Sequence, residues 1–400
     1  MLLTRLCLGS LVMLSSASLG RAQEEGPLSG APRSSDNKGE PGTSTFSTQL
    51  GYYHHDDDAA GNPFLDEKLT VIEPIIIWDS NVSEDFGYSV TLSYDNVSSA
   101  SIDRLNQFPE QSGASGDYYY GVDFGARHRA DEGKWFGWQL GGSVEYDYTS
   151  LHFGGNYSAE SPDKNTTQSF ALTGFYDTVD IIRFNGEQSE GTDTRLSLAG
   201  TYSLYKVLAP TWASDLSATV SFQSGFLETA YNAVVLEDPS FPPNPLLDNQ
   251  AQGIEFTEEL PDTRIRGAVQ YRARHFLDPG RAVELSGRVY GDDWGLYSFA
   301  VEPRYYMPLS DRLAVRLRYR YYNQTEADDF EEHYFGTTAS DLPEFRTQDA
   351  ELGAFDSHGF GVRLDLAPRA RHHWYLDLNY QLRSDDLDGI FASVGYSLDL

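Results

Sequence analysis

The sequence runs to 400 residues, enough for two or three ordinary soluble domains or one large one. Acids outnumber bases 60 to 29, a formal charge of −31 that excludes a surface built to grip nucleic-acid phosphates. Tyr (26), Phe (22) and Gly (36) are plentiful, which is too aromatic for a disordered chain, and no apolar run is long enough for a transmembrane helix.

The first segment reads as an export signal. Arg5 supplies positive charge, Leu6 to Leu19 an apolar stretch, and Gly20-Arg21-Ala22 a small-x-small cleavage site. Residues 1–22 are therefore expected to be removed as a signal peptide. Cys7 precedes the apolar stretch, which argues against lipidation. Losing Arg5 and Arg21 leaves 27 bases against 60 acids, a charge of −33, and no cysteine for disulfides or metal thiolates. Residues 23–43 are Gly, Pro, Ser and charge, the composition of a disordered periplasmic lead-in.

From residue 44 to residue 400 the chain alternates apolar and polar side chains in runs of about ten, broken at turn residues. Tyr88, Val90, Leu92 and Tyr94 alternate with Ser89, Thr91, Ser93 and Asp95. Phe136, Trp138, Leu140, Val144, Tyr146 and Tyr148 do so over the next region. A soluble sandwich has shorter strands, whereas an outer-membrane barrel needs about 9–11 residues per strand with aromatic ends. Short turns at Asp79–Asp85, Asp131–Lys134, Ser161–Lys164, Val207–Ser214, Leu277–Arg281, Pro308–Asp311 and Pro368–His372 fall between longer or more acidic connections. Counting Leu151–Tyr157 as its own strand, turned near Tyr148–Ser150, gives sixteen strands with both ends periplasmic. The pattern predicts an all-β, antiparallel, up-and-down, porin-like transmembrane barrel in the Gram-negative outer membrane. Its last strand, with Ala392, Val394, Tyr396, Leu398 and Leu400 in alternation, is similar to the C-terminal signal read by the outer-membrane assembly machinery, although a terminal aromatic is the usual form.

Several stretches carry a family resemblance: Val71-Ile72-Glu73-Pro74, Asp95-Asn96-Val97-Ser98-Ser99-Ala100-Ser101, and Glu145-Tyr146-Asp147-Tyr148. Tyr290-Gly291-Asp292-Asp293-Trp294 and Leu317-Arg318-Tyr319-Arg320-Tyr321-Tyr322-Asn323-Gln324 add to it. The chain resembles an outer-membrane barrel family of unknown function, the DUF3570 group, over essentially its whole mature length. The resemblance implies the barrel and brings no substrate and no catalytic residue.

In such a barrel the polar member of each pair faces the lumen. Over 263–274 that turns Ile265, Val269 and Tyr271 to lipid, and Arg264, Arg266, Arg272 and Arg274 inward. Glu284, Arg288, Glu302, Arg304, Arg316, Arg318 and Arg320 follow as candidate pore-lining residues. The functional reading of this basic stripe is an electrostatic screen favouring anions. The structural reading pairs the arginines with Glu284, Glu302, Asp365, Asp377 and inward-folded acidic loops.

Asp56-Asp57-Asp58, Asp328-Asp329 and Glu331-Glu332-His333 lack the spaced ligands of a calcium loop, and His54-His55 point to opposite faces of one strand. No metal or cofactor site is expected from them. There is no G-x-S-x-G, H-E-x-x-H or phosphate-binding glycine loop, so no enzyme is expected. Glu73-Pro74 and Glu302-Pro303 are expected to mark bends or bulges, with each Glu inward. The inner side of the first of these strands is apolar (Leu69, Val71, Ile75, Ile77) and calls for a cover. Two functions follow as expectations. One is a channel for small polar, anionic solutes. The other is a plugged structural barrel that docks a periplasmic partner. Outer-membrane lipid and lipopolysaccharide are the surroundings in both.

Overall fold

The computed structural model describes residues 40–56, 68–99, 117–182, 191–229, 232–238, 253–278 and 280–400. The expected signal peptide, and residues 23–39 of the expected lead-in, lie outside them. The wall begins with β1 (Thr43–Asp56), β2 (Lys68–Asn81), β3 (Phe86–Ser99) and β4 (Asp117–Asp131). It continues through β5 (Lys134–Val144), β6 (Tyr148–Glu160), β7 (Thr166–Asp180), β8 (Thr192–Ala209) and β9 (Trp212–Gly225). Two short strands outside the wall follow, β10 (Ala233–Glu237) and β11 (Gly253–Thr257). The wall resumes with β12 (Thr263–Asp278), β13 (Arg281–Asp292), β14 (Tyr297–Ser310) and β15 (Leu313–Gln324). After β16 (Tyr334–Phe335), again outside, it ends with β17 (Phe355–Arg369), β18 (His372–Arg383) and β19 (Asp388–Asp399).

Sixteen of these strands form one closed antiparallel barrel, and β10, β11 and β16 form a separate three-stranded sheet. Closure is made by β1 against β19, in register from Thr45 opposite Asp399 to Asp56 opposite Asp388. Both ends of the barrel chain lie at the short-turn rim, which such barrels keep in the periplasm.

The period of two decides which side meets lipid. Leu140 (59% exposed), Val220 (62%) and Val289 (57%) stand on the outer face with Leu50, Ile72 and Leu92. Apart from Val71 beside Ile72, their inward neighbours are polar or small, so the apolar surface is outside and the polar surface mostly inside. That inversion of a soluble protein makes the molecule an outer-membrane barrel. Aromatic side chains gather near both rims. Tyr94 lies 6.1 Å from Tyr118 and 5.3 Å from Tyr120 at the long-loop end, and Trp374 lies 4.5 Å from Tyr396 at the other.

Three details differ from the sequence reading. β5 ends at Val144 and the turn is Glu145–Asp147, not Tyr148–Ser150. Tyr146 is an exposed turn residue, and Tyr148 opens β6 with its hydroxyl 2.6 Å from Arg195 Nη2. The Glu-Tyr-Asp run kept the alternation going through a turn, which hid the break. Second, neither Glu-Pro pair is a bulge. The register from Ile72–Asn96 to Ile75–Ser93 is unbroken across Pro74, and that from Val301–Tyr321 to Arg304–Arg318 is unbroken across Pro303. Each proline drops ladder pairs on one side without inserting a residue. Third, the 231–261 and 325–350 connections contain strands of their own, described below. The expected inward turn of both glutamates is seen: Glu73 and Glu302 are buried. Leu69, Val71 and Ile75 are also buried, with Tyr53 packed against the first two.

Candidate functional site

Alternation on β12 to β15 sorts the stripe by direction. Ile265, Val269 and Tyr271 are about half exposed on the lipid face, while Arg264, Arg272 and Arg274 are buried on the other side of the same strand. A charge on the lipid side would cost about 2–4 kcal/mol at mid-membrane, so this register is strongly fixed.

Pairing then separates the arginines into two groups. Arg274 Nε donates to Glu284 Oε2 at 2.7 Å, and Arg304 bridges Glu284 at 3.2 Å and Glu302 at 2.5 Å. Arg316 meets Asp377 at 2.9 Å, and Arg264 Nε donates to Asp292 at 2.9 Å. Arg272 stands opposite Asp215 in the β9–β12 register. Asp365, expected as a partner of the stripe, instead takes Arg363 on its own strand at 2.9 Å. Arg318 hydrogen-bonds the amide oxygen of Asn379. Arg266, Arg288 and Arg320 form no ion pair among the described residues, and Arg266 Nε is buried without a hydrogen-bond partner. Arg320 instead lies 5.0 Å above the Tyr322 ring. The structural reading is thus seen at Arg264, Arg274, Arg304 and Arg316, while Arg266, Arg288 and Arg320 stand apart from it.

Above this wall sits a cap that the sequence reading missed. Its strands β10 and β11 pair antiparallel, and β10 pairs parallel with β16. Val234, Val235 and Leu236 are almost wholly buried, because β10 is covered on both faces. The cap packs on the tight β13–β14 turn through a cluster of Leu260, Trp294, Leu296, Ala327 and Leu352, joined by Tyr290. Asp292 builds that turn. Its Oδ1 accepts from Trp294 N at 3.1 Å and Leu296 N at 3.0 Å, while Oδ2 accepts from Tyr290 Oη at 2.6 Å as well as from Arg264. Gly295 has φ +82°, and a Cβ there would run into the Asp328 carboxylate. The Arg264 guanidinium lies 4.1 Å over the Trp294 ring. The other straps are inward-facing too. Gln324 Nε2 donates to the Gly353 carbonyl at 2.6 Å, and Arg383 reaches Glu351 and the Ala350 carbonyl. The sequence had called for a cover inside the barrel without placing any strand in it.

At the seam between the two cap segments lies Glu258, with no exposed surface. It accepts from Thr229 N and Thr347 Oγ1, each at 2.6 Å. Burial, reinforced by the neighbouring Asp349 charge, pushes its carboxyl up to about 8.

Cysteine substitution tests the placement of the wall. In a chain lacking Cys7, a cysteine at Arg288 is expected to react readily with a water-soluble thiol reagent, and one at Val289 or Val269 poorly. Equal labelling of 288 and 289 would place the register in error.

The profile of one family matches residues 5–396, described as "Protein of unknown function (DUF3570)". The chain belongs to the DUF3570 family. No curated protein matches the sequence. Among solved structures, a bacterial polysaccharide outer membrane secretin is 9% identical, with TM-score 0.46 over 88% of this chain and 98% of that one. The siderophore receptor PirA from Acinetobacter baumannii is 8% identical, with TM-score 0.44 over 84% of this chain and 52% of that one. The chain therefore spans about half the length of that receptor. OpdK from Pseudomonas aeruginosa, solved with vanillate, is 10% identical, with TM-score 0.39 over 90% and 98%. At this level of likeness, the fold of this DUF3570 chain rests on its own strand order and registers.

Proposed function

We propose that this barrel is a channel for small polar solutes across the outer membrane, with an anion preference set along β12 to β15. The observation that carries this is the set Arg266, Arg288 and Arg320, which face inward without an ion-pair partner among the described residues. Unneutralised guanidinium groups in a confined polar space raise the local anion concentration. Acids in loops outside the constriction are screened by salt within about 8–10 Å. In this reading residues 1–22 export the chain.

In a salt gradient across a planar bilayer, the reversal potential is expected to show chloride passing better than potassium despite the acidic total charge. Replacing Arg266, Arg288 and Arg320 together with Gln should reduce that preference without unfolding the barrel. A cation-selective wild type, or unchanged selectivity in the triple variant, would refute the screen.

A second reading is favoured by the cap, which is strapped to the inward-facing Gln324 and Arg383. Here the barrel is closed at rest and works with a periplasmic partner reached through residues 23–43. Absence of conductance from folded protein would support it.

A further inference from the structure

Not all of the unpaired arginines are alike in their surroundings. Arg288 belongs to a row that crosses five strands at one level: Gln270 on β12, Arg288 on β13, Ala300 on β14, Tyr322 on β15 and Ser357 on β17. Alternation turns all five side chains to the lumen. In the middle of the row stands Ala300, buried at 8% exposure, whose methyl group is the only side-chain bulk it adds to the two strand spacings, roughly 10 Å, from Arg288 to Tyr322. Arg320, two residues along the same face, lays its guanidinium over the Tyr322 ring at 5.0 Å and so leans toward the row. The two arginines are close enough for each to feel the other's charge.

Among the described residues neither arginine forms an ion pair. The acids nearest along these strands are already engaged: Glu302 by Arg304 at 2.5 Å, and Glu284 by Arg274 and Arg304. The Tyr322 hydroxyl is committed to Gln324 at 2.6 Å. Arg288 is solvent-exposed inside the barrel, whereas the paired Arg274 is buried. Two neighbouring guanidinium groups on one wall repel each other unless something negative stands between them. A planar guanidinium donates in parallel to two oxygens of one anion, which a halide cannot match.

We propose that Arg288 and Arg320, on either side of Ala300, form a binding site for one small oxyanion, a carboxylate or a phosphate. The site deepens the channel reading by naming what the anion path would hold, but its occupancy does not require conduction.

Calorimetric titration of the folded, detergent-solubilised protein at constant ionic strength tests it, with sodium phosphate and sodium acetate as the two probes and chloride as background. Saturable binding of one anion per chain is expected. Phosphate alone would mark an inorganic oxyanion site, and acetate a site for carboxylate solutes. Arg288→Gln should weaken binding about tenfold or more, the scale of a lost charge-assisted hydrogen bond. Ala300→Leu should do the same by adding bulk between the two arginines while keeping every charge. Arg312→Gln, at the short-turn rim, should leave binding unchanged. No saturable binding of either probe, wild-type affinity in both Arg288→Gln and Ala300→Leu, or equal weakening by Arg312→Gln would overturn the site. Binding without conductance would remove the channel and keep the site; anion-selective conductance without binding would do the reverse.

Discussion

Glu284→Ala is expected to destabilise the barrel by about 3–5 kcal/mol, the usual consequence of removing one partner from a buried ion pair. Glu284 is 3% exposed and accepts from two arginines on neighbouring strands, Arg274 at 2.7 Å and Arg304 at 3.2 Å. Without the carboxylate, Arg274 still reaches the Tyr306 hydroxyl at 3.2 Å, but its charge stays in the wall. Urea unfolding followed by the gel shift between folded and boiled forms would report the loss. Arg266→Gln makes the sharper comparison, because it removes an unpaired charge and should be neutral or stabilising. If both variants unfold at the wild-type midpoint, ion pairing contributes nothing measurable to this wall.

The second large effect is a pH dependence of the cap. Glu258 is an acid whose carboxyl is raised from an ordinary 4.5 to about 8 when the cap is docked. Its raised value means that docking favours the protonated form. The docked cap is therefore at full strength below about pH 4.5 and loses strength as pH rises to about 8. The charged groups facing it, Asp349 and Glu228, are both acidic and push in the same direction. Hydrogen exchange of 226–229 and 325–354, corrected for the intrinsic pH dependence of exchange, should therefore accelerate between about pH 5 and about pH 9. Glu258→Gln should flatten that curve. A cap whose protection is independent of pH in the wild type would show that Glu258 does not control docking.

How much of this was legible in the sequence depends on whether the signal was periodic. Strand number, direction and lumen side follow from the alternation of Ile265, Val269 and Tyr271 with arginines, because one residue of slippage would put charge into lipid. Alternation is a property of single strands and carries no information on which arginine finds which acid. The Arg274–Glu284 pair, and the lack of one at Arg288 among the described residues, therefore needed the registers. The Glu-Pro pairs misled because proline's missing donor was taken for a bulge, when the strand simply goes unpaired on one side. The cap escaped because β10 is covered on both faces, so its Val234-Val235-Leu236 run has no alternation to read.

The closing seam also bears on how the molecule comes into being. β1 and β19 are joined by twelve residue pairs, yet their partners are more than 330 positions apart along the chain. Contacts of that separation are the slowest to form, because the intervening chain must be organised before they can repay its lost entropy. Until β19 arrives, the sheet is an open ribbon with two unsatisfied edges, a state prone to pairing with other chains and costly in hydrocarbon. Deleting residues 388–400 should accordingly yield chains that aggregate before insertion rather than a fifteen-stranded barrel.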